Sequence, residues 1–88
     1  MENKNTNNIL RRLSIAEGQI RGLRELVMSG AYCVDIITQT SAVKQALSRV
    51  EDMLLESHLS TCAINQIKKG NEKKAVAEII KVYKLKRR

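Results

Sequence analysis

Residues 33–62 read CVDIITQTSAVKQALSRVEDMLLESHLSTC and contain neither glycine nor proline. Apolar or potential metal-ligating side chains, with Thr40 as the one exception, recur there in steps of three and four, at positions 33, 37, 40, 43, 47, 50, 54, 58 and 62. Steps of this size place residues on one face of an α-helix. Both cysteines and the only histidine of the chain lie on that face. The stretch therefore predicts one long helix, with a face suited to packing and to metal binding.

The spacing of these three residues prevents one helix from bringing them all together. His58 and Cys62 are four residues apart and are neighbours on a helix. Cys33 would lie roughly 37 Å from His58 in a continuous helix, which rises about 1.5 Å per residue. An antiparallel second copy would bring Cys33 of one chain to His58 and Cys62 of the other, and a two-fold axis would make two such sites. We therefore predict a metal site shared between protomers.

Two thiolates and one imidazole form a soft ligand set for a metal ion. Cu(I) accepts low coordination numbers and prefers thiolate, whereas Zn(II) usually takes a fourth ligand, so Cu(I) is the first choice and Zn(II) the second. The alternative is structural, because a cysteine on an apolar helix face is usually a small buried residue and a single histidine there is more often hydrogen-bonded in the core. In an antiparallel pair of these helices, all three residues would meet along the contact between the two chains. This favours the metal site over the structural alternative.

The composition predicts a small helical protein with an anionic partner. The chain has 88 residues, a net charge of +7, no Phe or Trp, and two Tyr. A core of aliphatic residues is typical of packed helices, and a core within one chain of this length is marginal, so association is expected. Double-stranded DNA is the leading candidate partner. A basic surface that is only solvated is the alternative, and a membrane fits poorly because no Phe- or Trp-rich face accompanies the charge.

The same sequence argues against other classes of protein. No apolar run approaches ~20 residues and the N-terminus has no signal-peptide core, so a cytoplasmic protein without membrane contact is expected. Cysteines in a reducing compartment are more often ligands or redox thiols than a disulfide. Cys33 and His58 could pair as nucleophile and base. No glycine-rich loop or visible oxyanion donor accompanies them, so we predict no enzyme.

Glycines divide the chain into three predicted helices, because Gly30 and Gly70 suit the left-handed position that follows a helix C-terminus. The first helix is expected to end near residue 28, the second to run over 33–67, and the third over 72–83. The short turn between the two long helices predicts an antiparallel hairpin. The expected fold is all-α, a single domain over residues 1–88. It consists of the long helix hairpin plus a short C-terminal helix, assembling as a dimer or dimer of dimers.

Gly18 and Gly22 lie four residues apart inside the first predicted helix. Glycine lowers helix propensity by about 1 kcal/mol relative to alanine. Their spacing therefore suggests that a neighbouring helix approaches closely at this face.

Three segments carry a resemblance to a known family: RRLSIAEGQIRGL at 11–23, AYCVDIITQTSAVKQAL at 31–47 and LLESHLSTC at 54–62. Over about residues 10–78 the chain resembles the CsoR/RcnR family of bacterial metal- and stress-sensing repressors, and within it the copper-sensing CsoR type. The resemblance implies a three-helix protomer in a dimer of dimers, with Cu(I) bound by Cys33 of one protomer and His58 and Cys62 of another. It also implies repression of copper-export genes by the metal-free protein, which leaves its operator when Cu(I) binds.

The resemblance implies roles for further residues. Tyr32 and Glu78 match the pair that links the liganding histidine to the rest of the protomer. The candidate DNA-binding residues are Arg11, Arg12, Lys44 and Arg49, of which Arg12 and Arg49 match the basic residues needed for operator binding. No helix-turn-helix motif is recognisable, so DNA recognition is expected to rest on phosphates and DNA shape.

Differences from related sensors at particular residues reduce the number of metals or compounds that this chain is expected to sense. Nickel- and cobalt-sensing relatives use a histidine near the N-terminus and another where Cys62 stands, and formaldehyde sensors use an N-terminal proline; this chain has none of these. Persulfide-sensing relatives keep the two cysteines without the histidine ligand, so His58 argues against that function. Two alternatives remain. One is a thiol-redox or persulfide-sensing repressor of the same fold, and the other is a basic helical DNA-binding protein with a structural zinc site.

Overall fold

The computed structural model describes residues 6–87, and these residues are helical apart from two short turns. The elements are α1 (Thr6–Met28), α2 (Cys33–His58), a π-helical turn (Leu59–Ala63), α3 (Ile64–Lys68) and α4 (Glu72–Lys86). The second predicted helix corresponds to α2, the π-helical turn and α3 in succession, and the third predicted helix is α4. The all-α, three-helix prediction is confirmed. None of the described helices is both long and apolar enough to cross a bilayer.

The turn between α1 and α2 contains Gly30, as predicted. Gly30 has φ of 72°, in the left-handed region that glycine adopts without a steric penalty. Its amide donates to the Val27 carbonyl at 3.2 Å, and the Ala31 amide donates to the Leu26 carbonyl at 3.0 Å. This pair of bonds is the Schellman motif, which satisfies the carbonyls that the end of α1 leaves free.

A groove beside this turn shows that α1 and α2 lie antiparallel. Its lining residues come from the last part of α1 and the first part of α2: Ile20, Leu23, Arg24, Val27, Met28, Ile36 and Thr40. The end of one helix therefore runs beside the start of the next, as the predicted hairpin requires.

The turn between α3 and α4 is a second Schellman motif. Gly70 has φ of 83°, its amide donates to the Ile67 carbonyl at 3.1 Å, and the Asn71 amide donates to the Gln66 carbonyl at 2.7 Å. Helix α4 begins directly afterwards and packs against α3. The turn therefore fixes which residues of α3 and α4 face each other.

The chain divides between Leu55 and Glu56 into two units, each with a small core of its own. The buried apolar residues are Ile9, Ala16, Val43 and Val50 in the N-terminal unit, and Ala63 and Ala75 in the C-terminal unit. On the face identified from the sequence, Val43 and Val50 are buried, whereas the larger residues stay exposed: Ile37 is 65% exposed and Leu47 40%. An apolar helix face left open in this way is typical of a protein-protein interface.

The expected close approach at Gly18 and Gly22 is not found within the chain. A Cβ atom at Gly22 would have no neighbouring atom within 4 Å, and one at Gly18 would meet only the Arg21 guanidinium at 3.6 Å. The prediction is not met within one chain, because at these two positions the described residues bring no atom of another helix within 4 Å.

Candidate metal centre and DNA-binding surface

Cys33 is the first residue of α2 and is exposed. The carbonyl of Tyr32 accepts hydrogen bonds from the Asp35 and Ile36 amides, at 3.0 and 3.3 Å, so Tyr32 forms the N-terminal boundary of the helix. The Tyr32 side chain is 69% exposed. Both residues therefore lie on the accessible surface of the N-terminal unit.

His58 is the last residue of α2, and Cys62 lies in the π-helical turn that follows. The Cys62 thiol is free and exposed. The Thr61 hydroxyl lies 3.7 Å from Cys62 Sγ. The predicted ligand pair therefore occupies the place where the helix departs from α geometry. Single π-helical turns inside α-helices are frequently found at functional sites.

Two hydroxyl groups bond back to the helix backbone at this point. Ser60 Oγ donates to the Glu56 carbonyl at 2.6 Å, and Thr61 Oγ1 donates to the Ser57 carbonyl at 2.7 Å. Each hydroxyl occupies a carbonyl four residues earlier, which a regular α-helix would offer to a backbone amide. This turn was not predicted from the sequence, in which the spacing of the long helix continues from His58 to Cys62.

His58 and Glu78 are brought close to each other within the C-terminal unit. His58 Nε2 lies 4.0 Å from Glu78 Oε1, which is beyond hydrogen-bonding distance. This nitrogen is buried and has no hydrogen-bond partner among the described residues. Glu78 was singled out with Tyr32 as the pair acting on the histidine, and Glu78 does lie beside it. Tyr32 belongs to the other unit.

Gln66, on α3, was not identified from the sequence. Its Nε2 donates to Glu78 Oε1 at 2.8 Å, while its own Oε1 is buried without a partner in the described chain. Gln66 and Glu78 are twelve residues apart and meet only because the Gly70 turn folds α4 back against α3. No sequence periodicity spans that separation.

Within residues 6–87, no three His, Cys, Asp or Glu side chains of one chain converge on a point that could hold a metal ion. His58 and Cys62 lie in the C-terminal unit and Cys33 in the N-terminal unit. The three-ligand site predicted between protomers concerns two chains, and it stays a prediction.

The candidate DNA-binding residues all lie in the N-terminal unit. Arg11 and Arg12 are exposed on α1, and Lys44 and Arg49 are exposed on α2. A carboxylate partner is found for none of these four cations within the described part of the chain. Exposed and unpaired cations are suited to contact phosphate groups.

Comparison with known proteins identifies the class. The model of the metal-sensitive transcriptional repressor family matches residues 5–84, so the chain belongs to that family. Members of this family are regulators that act on DNA, and they are not enzymes.

Particular relatives are copper sensors. The chain is 41% identical over 81 residues to the copper-sensing transcriptional repressor CsoR of Bacillus subtilis, covering 92% of this chain and 80% of that protein. It is 37% identical over 75 residues to the CsoR of Mycobacterium ulcerans, covering 85% of this chain and 64% of the longer relative. Its fold is similar to the crystal structure of the copper-sensing repressor CsoR with Cu(I) from Geobacillus thermodenitrificans. The TM-score is 0.89 at 34% identity, with 100% of this chain and 92% of that one covered.

Proposed function

We propose that this chain is a Cu(I)-responsive transcriptional repressor, which binds operator DNA without metal and releases it when Cu(I) binds, so that copper-efflux genes are expressed. The observation that carries the proposal is the placement of His58 and Cys62, four residues apart at the end of α2, in a chain similar to copper-sensing repressors. With Cys33 they make two thiolates and an imidazole, which suits Cu(I) better than Zn(II).

The state of these side chains fits such an ion. Both thiols are free and exposed, so neither is withdrawn into a disulfide. The Nε2 atom of His58 is buried beside Glu78, which leaves Nδ1 as the ring nitrogen for an ion. The two nitrogens of a metal-binding histidine usually divide their roles in this way, one binding the metal and the other donating a hydrogen bond.

The third ligand comes from a second protomer. Helix α2 has 26 residues and is therefore about 39 Å long, too long for Cys33 and His58 of the same chain to share an ion. Antiparallel pairing of two α2 helices places the Cys33 of each protomer at the His58–Cys62 end of the other. The exposed Ile37 and Leu47 supply apolar surface for the contact between the two helices. We further propose that two such dimers associate as a tetramer on DNA.

The signal passes from the site to α4 through one hydrogen bond. With Nδ1 held by an ion, His58 would keep its remaining proton on Nε2 and would donate it to Glu78 Oε1, which lies 4.0 Å away. Closing that gap to about 2.8 Å moves the Glu78 carboxylate, and α4 with it, relative to the end of α2. Cys33, His58 and Cys62 would hold the ion, and its coordination would supply the free energy for this change.

The DNA-binding surface in the proposal consists of Arg11, Arg12, Lys44 and Arg49. These exposed cations contact phosphates, and the +7 charge of each chain adds a general attraction that grows with assembly. Residues 1–88 act together as one regulatory domain, and the protein acts in the cytoplasm because its operator is there.

The function is tested by DNA binding with and without metal. A labelled duplex that carries the operator, isolated by selection from random duplexes, is titrated anaerobically with the protein at two stated salt concentrations. We expect Cu(I) to weaken operator binding by roughly 5- to 150-fold, the usual range of allosteric coupling, and Zn(II) to have little effect. Release by polysulfide with a Cys33–Cys62 crosslink between protomers would identify a thiol sensor. Indifference to every ligand would identify a DNA-binding protein with a structural site.

A further inference from the structure

The positive charge of the chain is concentrated in its C-terminal unit. Residues 56–88 contain nine Lys and Arg against three Glu, a net charge of +6. Residues 1–55 contain seven Lys and Arg against six acidic residues, a net charge of +1. The four cations assigned above to DNA binding all belong to this nearly neutral unit. A local excess of one sign of charge attracts a polyanion, so the C-terminal unit is the more attractive of the two.

Four lysines of α4 lie together on one side of the helix. Each is three, four or seven residues from Ala77 in the sequence. At 3.6 residues per turn they therefore surround Ala77 on a face about 100° wide, and they extend over roughly 16 Å of the helix. These residues, which we call the lysine stripe, are all exposed: Lys73, Lys74, Lys81 and Lys84.

The carboxylates of α4 do not neutralise the lysine stripe. Glu78 is half-buried, and its Oε1 accepts the 2.8 Å hydrogen bond from Gln66. Glu72 lies at least about 100° around the helix from every lysine of the stripe. No ion pair with a carboxylate is found for these lysines among residues 6–87. Four ammonium groups are therefore presented together on one exposed face.

We propose that the lysine stripe is a second DNA-contact surface, which binds the phosphates of duplex DNA without regard to base sequence. The inference rests on the DNA binding in the proposed function, and it adds a surface in the C-terminal unit. A lysine ammonium is a compact charge with three donors on a flexible stem, which suits phosphate oxygens. One strand of B-DNA carries a phosphate about every 3.4 Å along the axis, so roughly 16 Å covers about five of them.

An anionic membrane is the competing partner for a basic helix. A helix that lies on a membrane buries a face of large apolar residues, often Phe, Trp or Leu. The residue at the centre of the lysine stripe is Ala77, and the chain contains no Phe or Trp. The chain also belongs to a family of transcriptional repressors. Both observations favour duplex DNA.

Phosphate contacts of this kind predict a specific pattern of losses. Each contact that is removed lowers the steepness of log K against log salt concentration by about 0.9, which corresponds to roughly fivefold weaker binding at about 0.15 M salt. Phosphate contacts carry no sequence information. Operator and random duplexes should therefore lose affinity by the same factor.

The experiment titrates labelled operator duplex and a random duplex of equal length over a series of NaCl concentrations, with protein prepared without metal. Lys81→Gln and Lys84→Gln each remove one charge and nearly preserve helix propensity. Lys68→Gln is the control, because Lys68 is an exposed lysine of the same unit that lies on α3, outside the lysine stripe. We expect each stripe variant to lower the slope on both duplexes by about 0.9 per stripe in contact. Lys68→Gln should leave the slope nearly unchanged.

Two further arms complete the test. Lys81→Arg keeps the charge and should bind both duplexes as wild type does. Vesicles of phosphatidylglycerol and phosphatidylcholine should not sediment wild-type protein at the same salt concentrations. Unchanged slopes in Lys81→Gln and Lys84→Gln would overturn the inference, and so would an equal loss in Lys68→Gln. Vesicle binding that only the stripe variants lose, with DNA binding unaffected, would assign the stripe to a membrane and also overturn it.

The outcomes separate this inference from the proposed function. If Cu(I) does not release wild-type protein from the operator, the proposed function fails. The random-duplex slopes of the stripe variants still decide whether the lysine stripe contacts DNA.

Discussion

The Nε2 atom of His58 and the Oε1 atom of Glu78 lie 4.0 Å apart, too far for a hydrogen bond and close enough for a small displacement to form one. His58 ends α2 and Glu78 lies on α4. A bond between them would therefore tie the end of the long helix to the C-terminal helix. In the proposed mechanism, closing this gap is the step by which metal binding would change the conformation.

Glu78→Ala is expected to separate metal binding from DNA release. The variant keeps all three proposed ligands, so Cu(I) should bind with an affinity close to that of wild type. It removes the acceptor for His58, so most of the roughly 5- to 150-fold weakening of operator binding should disappear. Paired titrations with Cu(I) and with operator DNA measure the two effects. Glu72→Ala, an exposed carboxylate on the same helix, is the control and should respond as wild type does.

Cys33→Ala tests the ligand set from the other end of α2. We expect loss of tight Cu(I) binding and loss of metal-dependent release. Operator binding by the metal-free protein should persist, because Cys33 is exposed and its removal leaves no cavity. Val34→Ala, at the exposed position next to it, should retain the response. If Cys33→Ala still releases DNA with Cu(I), Cys33 is not a ligand.

Arg12→Ala and Arg49→Ala should weaken operator binding and reduce its dependence on salt. Removing one phosphate-binding cation lowers the steepness of log K against log salt concentration by about 0.9. Anisotropy titrations over a series of NaCl concentrations give that slope directly. Lys68→Ala, an exposed cation in the C-terminal unit, removes the same charge and should leave the slope nearly unchanged. Equal effects of all three variants would point to general charge attraction in place of a defined surface.

Gly30→Ala and Gly22→Ala should have opposite effects on stability. Gly30 has φ of 72°, where an alanine is strained by roughly 1–2 kcal/mol. Gly22 lies inside α1 with open space at its Cβ position, so alanine there should stabilise the protein by about 1 kcal/mol through helix propensity. Urea unfolding monitored by circular dichroism measures both. Destabilisation by Gly22→Ala, together with weaker dimerisation, would show that a second protomer packs against this face.

The helices could be predicted because the features that define them are local. Gly30 and Gly70 mark both turns through their backbone freedom, and the three- and four-residue spacing within 33–62 indicates one long helix with an apolar face. The π-helical turn at Leu59–Ala63 was missed, since the spacing that predicts the long helix continues through it, from His58 to Cys62.

The site was predictable to a lesser extent than the fold. The choice of His58 and Cys62 came from side-chain chemistry and a spacing of four, and Glu78 came from a resemblance. The bond between Gln66 and Glu78 depends on how α3 and α4 face each other after the Gly70 turn. Side-chain pairs of that kind are set by packing and have no signature in a single sequence.

The most direct test of a site shared between protomers is complementation. Cys33→Ala and Cys62→Ala chains carrying different affinity tags are mixed, refolded together and purified as the heterodimer. In that heterodimer the Cys33→Ala chain keeps His58 and Cys62, and the Cys62→Ala chain keeps Cys33, so one complete site is restored. We predict one tightly bound Cu(I) per heterodimer, with no tight binding by either variant alone. A heterodimer that binds no more Cu(I) than its parents would contradict the account.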